Sequence, residues 1–571
     1  MDFKSISIKN FRNFEKVKVD LSNQNVIFGM NDVGKTNFLY AIRFLLDSEI
    51  RRNGFKKSDF FKNEEGREIN ITVELDLSDR DENEDTQNFI SKVGGYRNSS
   101  NLNVFYLQVI SKYESADGIG NPELFWGVDL EELSPIPQIG IRSDLDKVFK
   151  VVYIHPTINL EQLFSKNRSR VFDQTKLTEQ DQKISKEIEK LGQEMNTQIA
   201  TMETIQNFEE LLTAGYKKLK EEDIQITFKS EMTIKGYFND LVPYIKKDSE
   251  DQVYPTSGDG RKKILAYSLL NHLTEIQEDT RIPIFLIEEP ENSLHRSMQI
   301  ALSQQLFSTG LYKYFFLSTH SSELLYEMDN ATLVRIFSKD KIVCESALYN
   351  LDTEYKALKK ELNKSLAEAL FSEKVLLIEG PSEKVLFEKI LQTLHPTYEL
   401  KGGYLLEVDG IKFKPYFEIL SKLGIICIVK TDNDLKAKRN NKYSLDTIGF
   451  NRCLALVGKR NLPAVTITFK TDAEKKKVVQ EQKKKLYAKK QKVLKELNSN
   501  NIFLSEIDLE HDLNNAIGSK MKQVFGSNPI SYLQQHKLLN MIDLTKKLTK
   551  VDCEDIINHQ YFVALKKLVE L

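Results

Sequence analysis

The chain has 571 residues, which is too long for one hydrophobic core and predicts two to four domains. Its apolar content of 40% and charged content of 29% are typical of a globular protein in water. The formal net charge of −2 excludes a nucleic-acid binder that is basic throughout, so any DNA-binding surface must be local. Four cysteines lie far apart without a C-x-x-C pair, which argues against zinc and disulfides and favours a reducing compartment. With no signal-peptide pattern and no apolar run near the roughly 18 residues of a membrane span, we expect a cytoplasmic protein.

Residues 1–28 predict two strands joined by a turn. Phe3, Ile6 and Ile8 lie in the first strand, and Val26–Phe28 forms the second, which leads into a glycine-containing loop. Further strands are predicted at Ile69–Leu77, Asn103–Ser111 and Val151–Ile154.

The stretch Phe28–Phe38 contains the complete phosphate-loop pattern G-x-x-x-x-G-K-[ST] between an apolar strand and a helix. Glycines let backbone N–H groups close round phosphate oxygens, and the helix N-terminus adds partial positive charge. In this pattern Lys35 reaches the β and γ phosphates and Thr36 holds Mg²⁺. A plain strand-to-helix turn is the alternative, but the matched context favours nucleotide binding. The candidate residues of this loop are Asn31, Gly34, Lys35, Thr36 and Asn37.

Between about Leu160 and Asp223 the chain is polar and poor in strand signals. Leu, Ile, Val and Met recur at helical spacing, which predicts an antiparallel helix pair. Such a pair forms either a dimer contact or a solvated hairpin without a partner, and the sequence does not separate the two.

Three later features suit the same nucleotide site. A Ser257-Gly258 turn precedes an apolar helix, whose first amides can bind a phosphate. The apolar strand Ile282–Ile287, with Pro283 expected in an edge position, ends in Glu288 and Glu289, and buried acids of this kind are costly unless a cation meets them. In phosphate-loop enzymes the first acid helps to hold Mg²⁺ and the second polarises the attacking water. His320 ends another buried strand and could contact the γ-phosphate, or simply bond to backbone.

This set of motifs resembles the ABC-type ATPases of the SMC, Rad50 and RecF kind. The resemblance implies a head-to-head dimer in which the Ser-Gly turn of one protomer closes on the nucleotide of the other. Two departures stand out: Glu288 replaces the usual Asp, and Ser-Gly-Asp-Gly replaces Ser-Gly-Gly-Gln. Nucleotide binding is therefore better supported than rapid hydrolysis.

The second half alternates apolar strands and helices, which predicts a parallel sheet whose carboxyl ends share one edge. Glu379, Asp409, Asp432 and Asp434 all end such strands. Clustered carboxylates repel one another unless divalent cations lie between them. The predicted strands are Val375–Glu379, Tyr404–Val408 and Gly424–Lys430, with helices at Lys384–Leu394 and Lys412–Leu423.

A strand ending in Glu-Gly and a later strand ending in Asp-x-Asp resemble the Toprim pattern of topoisomerases, DnaG-type primases and OLD-family nucleases. The resemblance covers about residues 372–460, and it implies a metal site that contains Glu379, Glu383, Asp432 and Asp434. An Asp-x-Asp alone would indicate only a polar loop.

The stretch Ile502–Leu513 is an acid run that follows a short strand. We expect Asp508 and Glu510 to complete a two-metal site for phosphodiester cleavage, and Glu506 and Asp512 to face solvent. Lys537 is a candidate for neutralising transition-state charge, or an ordinary lysine on a helix surface.

The helical tract Lys475–Lys495 contains ten lysines and is the only strong basic patch in the sequence. It either contacts phosphates or is a solvated helix, and its place within the predicted nuclease half favours contact with the phosphates of DNA.

An ABC-type ATPase followed by a Toprim domain is the arrangement of the OLD family. Stretches such as FGMNDVGKTNFLYA, LLIEGPSEK and KTDNDLK resemble the nuclease subunits of Gabija anti-phage systems. We therefore expect an α/β protein with an ABC-type ATPase, a helical dimerisation insertion and a Toprim, Rossmann-like parallel sheet. The expected boundaries are 1–156 and 236–348 for the ATPase, 157–235 for the insertion, and 349–571 for the Toprim half with a basic insertion at about 470–500.

The resemblance implies a nucleotide-regulated, metal-dependent endonuclease that cuts double-stranded DNA in defence against phage. The implied cofactors are ATP and Mg²⁺ or Mn²⁺. The implied partners are further copies of the chain, joined as a dimer or tetramer through the ATPase half, and a UvrD-like helicase.

Two alternatives remain open on the sequence. One is a non-cleaving, RecF/SMC-like DNA-binding repair ATPase with a Toprim fold used only for binding. The other is a topoisomerase-like enzyme, which needs a nucleophilic tyrosine. Tyr443, Tyr487 and Tyr532 are available for that role, but nothing in the sequence marks any of them.

Overall fold

We describe the protein from a computed structural model. It describes all residues except 31–32, 65, 94–102, 140–141, 158–159, 161–162, 165–177, 220–223, 229–243, 247–251, 256–257, 276–279, 309, 326–327, 329, 339–340, 351–358, 409, 411 and 571.

The N-terminal half contains an antiparallel sheet in the order β2-β1-β4-β5-β7-β8, with β6 paired to β5. Alternate residues of its strands are buried, as expected for a sheet with one face on the core. The strands are β1 (Asp2–Phe11), β2 (Phe14–Asp20), β4 (Glu68–Asp76), β5 (Val104–Glu114), β6 (Ile119–Gly120), β7 (Glu123–Gly127) and β8 (Ser134–Pro135).

A second sheet carries the phosphate loop and has the order β11-β14-β15-β3-β16-β17. All of its neighbouring strands run parallel except the β16–β17 hairpin. The carboxyl ends of β14, β15 and β3 therefore lie side by side at one edge, where open α/β sheets place their sites. The strands are β3 (Gln24–Phe28), β11 (Phe149–Ile154), β14 (Ile282–Glu288), β15 (Phe315–Thr319), β16 (Asn330–Ser338) and β17 (Ile342–Asn350), and a separate two-stranded sheet pairs β9 (Gln138–Ile139) with β10 (Arg142–Ser143).

Two expectations for this half need correction. Residues 1–28 form three strands, because Val17 and Val19 of β2 alternate with charged residues and pair against β1. Pro283 stands in β14, which is an interior strand between β11 and β15 and does not lie at the sheet edge. The strands expected near Ile69, Asn103 and Val151 are present as β4, β5 and β11.

The polar stretch after Pro156 belongs to a compact unit of its own, Thr157–Asp279 with Asn292–Leu294. It contains the two consecutive helices Glu179–Ala200 and Glu203–Leu219, as the helical spacing predicted. Thr178 begins the first helix with a capping box to Asp181. A short hairpin of β12 (Tyr244–Lys246) and β13 (Val253–Pro255) and the helix Asp259–Glu275 complete the described part of the unit.

The C-terminal half is built on a four-stranded parallel sheet in the order β19-β18-β20-β24. This is the parallel strand–helix alternation that the sequence predicted. The strands are β18 (Lys374–Ile378), β19 (Gly403–Glu407), β20 (Ile426–Thr431) and β24 (Ile502–Leu504), and a small antiparallel sheet joins β21 (Lys436–Lys438), β22 (Asn441–Asp446) and β23 (Val465–Thr466).

Helices cover both sheets that carry sites, and none in the described part of the chain is long and apolar enough to cross a membrane. In the N-terminal half they are Lys35–Leu46, Ser48–Arg51, Glu84–Val93, Leu145–Val148 and Arg296–Ser308. In the C-terminal half they are Lys359–Ala369, Pro381–Leu394, Phe413–Lys422, Ile448–Leu456, Asp472–Lys489, Gln491–Ser499, Leu509–Phe525, Pro529–Gln535, Lys537–Lys547, Lys550–Asn558 and Val563–Val569.

Buried Arg335 of β16 joins the phosphate-loop sheet to the C-terminal half. It stands opposite Phe28 in the pairing of β16 with β3, and its guanidinium donates to the carbonyls of Leu423 and Ser372, each at 3.2 Å. Burial lowers the pKa of Arg335 to about 10, although Glu373 opposes the shift. The two bonded carbonyls lie just before β20 and β18, the strands that carry the predicted metal ligands.

One ring contact and one close approach at a glycine extend this junction. Phe28 lies edge-on to Phe371 with ring centroids 5.7 Å apart. Gly424 has a φ of +70°, and a Cβ atom there would lie 3.2 Å from the ring of Phe337. We call Phe28, Arg335, Phe337, Phe371 and Gly424 the seam.

Candidate active site

The phosphate loop needs glycine at both ends for a steric reason. A Cβ atom on Gly29 would lie 2.2 Å from the carbonyl oxygen of Ile336, and one on Gly34 would lie 2.0 Å from the side chain of Asn13. Gly34 also has a φ of +109° where it begins the helix Lys35–Leu46. The sequence pattern therefore corresponds to a real constraint on the backbone.

A turn between β1 and β2 braces this loop, and the sequence did not reveal it. Asn13 donates to the Val33 carbonyl at 2.7 Å and accepts a hydrogen bond from Asn37 at 3.0 Å. Arg12 donates to Asn37 at 2.8 Å and to Asp59 at 2.9 Å. Asn37 thus holds the loop in shape through its neighbours, and its predicted contact with nucleotide stays a prediction.

Lys35 and Thr36 are the first two residues of the helix that follows the loop. The buried Lys35 ammonium donates to the carbonyls of Gly29 at 3.1 Å and Met30 at 2.9 Å. Thr36 donates to Glu288, which also accepts a hydrogen bond from the Tyr153 hydroxyl. Burial, together with the Glu288 carboxylate, raises the pKa of Tyr153. The hydroxyl and carboxylate of Thr36 and Glu288 are hard oxygen ligands of the kind that Mg²⁺ prefers.

Three acidic or imidazole side chains follow at the same sheet edge. Glu289 has a φ of +41°, a conformation that a non-glycine residue adopts only under strain. The Nδ1 atom of His320 lies 3.6 Å from Glu289 and 3.5 Å from Glu291. Buried Glu291, which sequence reasoning missed, also accepts hydrogen bonds from the Thr319 hydroxyl at 2.7 Å and the His320 backbone N–H at 2.9 Å.

Two predicted nucleotide-binding residues, Asn31 and Ser257, lie outside the described residues. Gly258, the neighbour of Ser257, has a φ of +96° and directly precedes the helix Asp259–Glu275. Gly258 therefore precedes a helix as predicted, while its contact with a nucleotide stays a prediction.

In the C-terminal half, carboxylates from the ends of β18, β20 and β24 come together. We call Glu379, Asp432, Asp434, Asp508 and Glu510 the carboxylate cluster. Glu379 accepts hydrogen bonds from the Thr431 hydroxyl, from the Asp432 backbone N–H at 2.8 Å and from Arg452. Glu379 and Asp432 are thus adjacent, as a shared metal ion requires.

Asp432 lies at the centre of the cluster. Its Oδ1 atom is buried and has no hydrogen-bond partner among the described residues. Burial, followed by the charges of Glu379, Glu383, Asp508 and Glu510, raises the pKa of Asp432 well above its usual range. Four other carboxylates therefore lie close enough to repel its charge.

Arg452, on the helix Ile448–Leu456, is the functional residue that sequence reasoning missed most clearly. Its buried guanidinium donates to Glu379 with one nitrogen and to Asp434 at 2.9 Å with another. Burial lowers the pKa of Arg452, but attraction to these two carboxylates outweighs the effect and raises it. No motif marks this arginine, since its position depends on how the helix packs against the Asp-x-Asp loop.

The helix leaves room for this contact at Gly449. A Cβ atom on Gly449 would lie 2.4 Å from the Asp432 carbonyl oxygen and 2.6 Å from the Asp434 nitrogen. Its own N–H donates to the Asp434 carbonyl at 3.0 Å. Only glycine allows the helix to approach the Asp-x-Asp loop this closely.

Asp508 and Glu510 stand at the start of the helix Leu509–Phe525. Asp508 caps that helix and accepts hydrogen bonds from the His511 backbone N–H at 3.0 Å and from its ring. Burial raises the pKa of Asp508, but the bonds from His511 lower it overall. Glu510 is buried 3.2 Å from the Lys537 ammonium, and its Oε2 atom has no hydrogen-bond partner among the described residues.

Lys537 is 56% exposed, and its ammonium forms an ion pair with the buried Glu510 carboxylate at 3.2 Å, so its role in neutralising charge stays a prediction. Burial lowers its pKa, but attraction to Glu510 and Asp432 outweighs this and raises it. Its place beside buried carboxylates suits the predicted role in neutralising charge.

Glu383 serves the backbone of the strand-to-helix turn. Its Oε2 atom accepts hydrogen bonds from the N–H groups of Glu379 and Gly380 and so caps the helix Pro381–Leu394. Burial raises the pKa of Glu383 to about 8, and the Glu379 charge adds to this. Its role as a metal ligand stays a prediction.

The expectation that Asp512 faces solvent was wrong. Asp512 is fully buried and pairs with the buried Lys430 at 2.6 Å, because the helix Leu509–Phe525 turns this side chain toward β20. Glu506 is half-buried and accepts a hydrogen bond from Tyr561 at 3.3 Å. The Lys430–Asp512 pair ties the Asp-x-Asp strand to the helix that carries Glu510.

Across the described residues, no three His, Cys, Asp or Glu side chains already have the arrangement of a metal-ligand set. Arg452 and Lys537 lie among the carboxylates and balance part of their charge. The chemistry of the cluster nevertheless fits a divalent ion, since all its donors are oxygens and Asp432 and Glu510 each keep a buried oxygen without a partner.

Comparison with known proteins agrees with both halves of this description. The model of the AAA ATPase domain family matches residues 1–325, and that of the Overcoming lysogenization defect protein-like TOPRIM domain matches residues 370–434. Endonuclease GajA of Bacillus cereus (strain VD045) is 51% identical over 573 residues, which cover 100% of this chain and 99% of the relative. This chain belongs to the GajA endonuclease family.

More distant relatives match one or both halves. The Old nuclease of Escherichia phage P2 is 22% identical over 507 residues, 82% of this chain and 83% of the relative. RecF of Lactococcus lactis subsp. cremoris (strain MG1363) is 24% identical over 364 residues, 59% of this chain and 97% of the relative. Among solved structures, the SMC head domain from Thermotoga maritima is 14% identical, covers 62% of this chain and 100% of that chain, and has a TM-score of 0.31.

Proposed function

We propose that this protein is a DNA endonuclease of anti-phage defence, with its cutting site at the carboxylate cluster and a regulatory nucleotide site at the phosphate loop. The observation that carries the proposal is the meeting of carboxylates from three neighbouring parallel strand ends round Asp432, in a chain of the GajA endonuclease family. Repulsion among these acids supports a role in binding divalent cations, with Mg²⁺ or Mn²⁺ as the expected ions.

The cluster divides naturally into two groups of ligands that share Asp432. Glu379 and Asp434 would hold one ion with it, and Asp508 and Glu510 would hold the other. Bound there, divalent ions supply an activated water and stabilise the leaving oxygen of a phosphodiester. Glu383 would act through the turn that presents Glu379, or as a further ligand.

The protein's own cations complete the site. Lys537, 3.2 Å from Glu510, is placed to neutralise negative charge that develops on the phosphate. Arg452 holds Glu379 and Asp434 together and so fixes the spacing of two ligands from different strands.

The nucleotide site supports ATP with Mg²⁺ as its ligand. Lys35 lies inside the loop, and Thr36 and Glu288 offer adjacent oxygens for the cation. Glu289 and His320 lie together at the neighbouring strand ends, where one would orient water and the other would contact the γ-phosphate. Gly258 and Ser257 would complete the site from a second copy of the chain.

Three finer points belong to the same proposal. Oligomerisation through the ATPase half is supported by exposed apolar side chains on the helix pair, among them Leu191 and Leu211. A UvrD-like helicase partner follows from the resemblance to Gabija nuclease subunits. A cytoplasmic location is supported by four buried, unpaired cysteines.

A nicking assay tests the central proposal. Supercoiled plasmid incubated with the protein and Mg²⁺ or Mn²⁺, at low and high ATP, should be nicked or linearised. Asp432→Asn should abolish cutting without loss of stability in EDTA, because a neutral side chain at this position removes repulsion. Asp446→Asn, at a half-exposed acid of the same half, should cut normally.

The rival function is a non-cleaving, RecF-like DNA-binding ATPase. RecF of Lactococcus lactis subsp. cremoris (strain MG1363), whose name gives a role in DNA replication and repair, matches 59% of this chain. This rival predicts intact plasmid in every metal and ATP condition, with ATP-dependent DNA retention that survives Asp432→Ala and Asp434→Ala. That pair of results would overturn the endonuclease proposal.

A further inference from the structure

The helix Asp472–Lys489 has one side on the carboxylate cluster. The Lys483 side chain is only 12% exposed, and its ammonium lies 3.3 Å from the Ile507 carbonyl and 3.8 Å from Asp434. Asn433, between the two aspartates of the Asp-x-Asp loop, donates to the Lys483 carbonyl at 3.2 Å. Leu486 is buried on the same side. The helix is therefore part of the wall of the site.

The opposite side of this helix is exposed and basic. We call its exposed lysines Lys477, Lys484, Lys485 and Lys489 the basic face. Lys477 and Lys484 are two turns apart and lie in line, about 10 Å from each other along the axis. Glu474 and Glu481 are exposed acids of the same helix.

The surrounding sequence strengthens the positive charge. Residues 436–496 contain eighteen Lys and Arg against five Asp and Glu, whereas the whole chain has a net charge of −2. Positive charge is therefore concentrated in the segment that packs round the predicted cutting site. A polyanion is the partner that matches such a face.

We propose that the basic face binds the phosphate backbone of double-stranded DNA beside the carboxylate cluster. The inference rests on the proposed endonuclease function, since it takes the substrate of that site as the occupant. Because one helix carries both Lys483 and the basic face, a duplex bound along the exposed side lies within one helix diameter of the carboxylates, about 10 Å. Exposed lysines contact phosphates without reading bases, so this surface supplies affinity and leaves sequence choice to other residues.

The test compares Lys477→Gln/Lys484→Gln/Lys485→Gln with wild type. Binding of a fluorescent duplex is measured in EDTA, which prevents cutting, across a salt series. Loss of three phosphate contacts should lower the slope of log K against log salt by about 3 and weaken binding roughly a hundredfold near 0.1 M salt. In the plasmid assay KM should rise while kcat at saturating DNA stays unchanged.

The matched control is Lys546→Gln/Lys547→Gln/Lys550→Gln, which removes three exposed lysines from other helices of the same half. It should keep the wild-type slope. The proposal would be overturned if the salt slope of the first variant were unchanged, or if the slope fell equally in both variants. It would also be overturned if the first variant lost binding of an acidic protein while it kept wild-type binding of the duplex. Intact plasmid with wild type, together with a lower slope in the first variant, would refute the endonuclease and leave the DNA surface standing.

Discussion

At the scale of single residues, a positively charged side chain holds two acids of the carboxylate cluster together. Glu379 and Asp434 come from different strands, and Arg452 joins them from a third element. Glu379 and Asp434 could be predicted as site residues because each follows an apolar strand, where a charged residue is easy to recognise in the sequence. Arg452 could not, because its helix has no pattern beyond an apolar side, and its partners are far away in sequence.

We expect Arg452→Gln to destabilise the protein most when divalent ions are removed. Two carboxylates then lose a buried partner, which costs about 3 kcal/mol. Added Mg²⁺ should restore part of the loss, because a cation replaces the missing charge. Thermal unfolding in EDTA and in Mg²⁺ measures both effects.

Arg460→Gln is the control for this variant, since Arg460 is exposed in the same half. Equal melting temperatures for Arg452→Gln and wild type in EDTA would show that the guanidinium does not hold the cluster.

At the scale of elements, a strand could be predicted where its apolar residues form a clear pattern in the sequence. Strands buried on both faces, such as β14 and β20, were predicted because they are continuous apolar runs. Strand β2 was missed because its two valines alternate with charges. The brace of Asn13 on the phosphate loop could not be predicted, since it joins residues of no recognisable motif across a turn.

Gly449→Ala should weaken cutting and stability together. Its Cβ would meet backbone atoms of Asp432 and Asp434, so the helix Ile448–Leu456 must move away and carry Arg452 with it. We expect a loss of about 1–3 kcal/mol in the free energy of unfolding, measured by denaturant titration, and slower plasmid nicking.

Gly518→Ala is the matched control, because a Cβ atom there meets nothing closer than 3.5 Å within the helix Leu509–Phe525. It should be neutral or slightly stabilising. A Gly449→Ala protein as stable and active as this control would contradict the close approach of helix and loop.

At the scale of the whole molecule, the two halves meet at the seam. The fold of each half was predictable from its own motifs, and the chain order followed from the family resemblance. The seam was not predictable, because Arg335 donates to backbone carbonyls. Every residue has such a carbonyl, so the sequence does not show which ones accept these hydrogen bonds.

Arg335→Met should lower the stability of the protein while leaving both sites intact. The carbonyls of Leu423 and Ser372 lose their buried donor, at a cost of about 1–3 kcal/mol each. We expect an earlier unfolding transition in denaturant, with normal binding of ATP by the unheated protein. Arg296→Met, at an exposed position, is the control and should unfold at the same denaturant concentration as wild type. If Arg335→Met also unfolded at that concentration, the seam would contribute little to stability.

The seam also limits how such proteins can be recombined. Gly424 leaves space for Phe337, and Phe371 covers Phe28, so each side of the boundary is shaped by a residue on the other. A chimera that takes its first half from one relative and its second half from another should therefore fold well only when the residues at these two paired positions fit each other in size. Successful domain exchange between family members is then a matter of a few paired positions, which can be read from the two parental sequences before any gene is made.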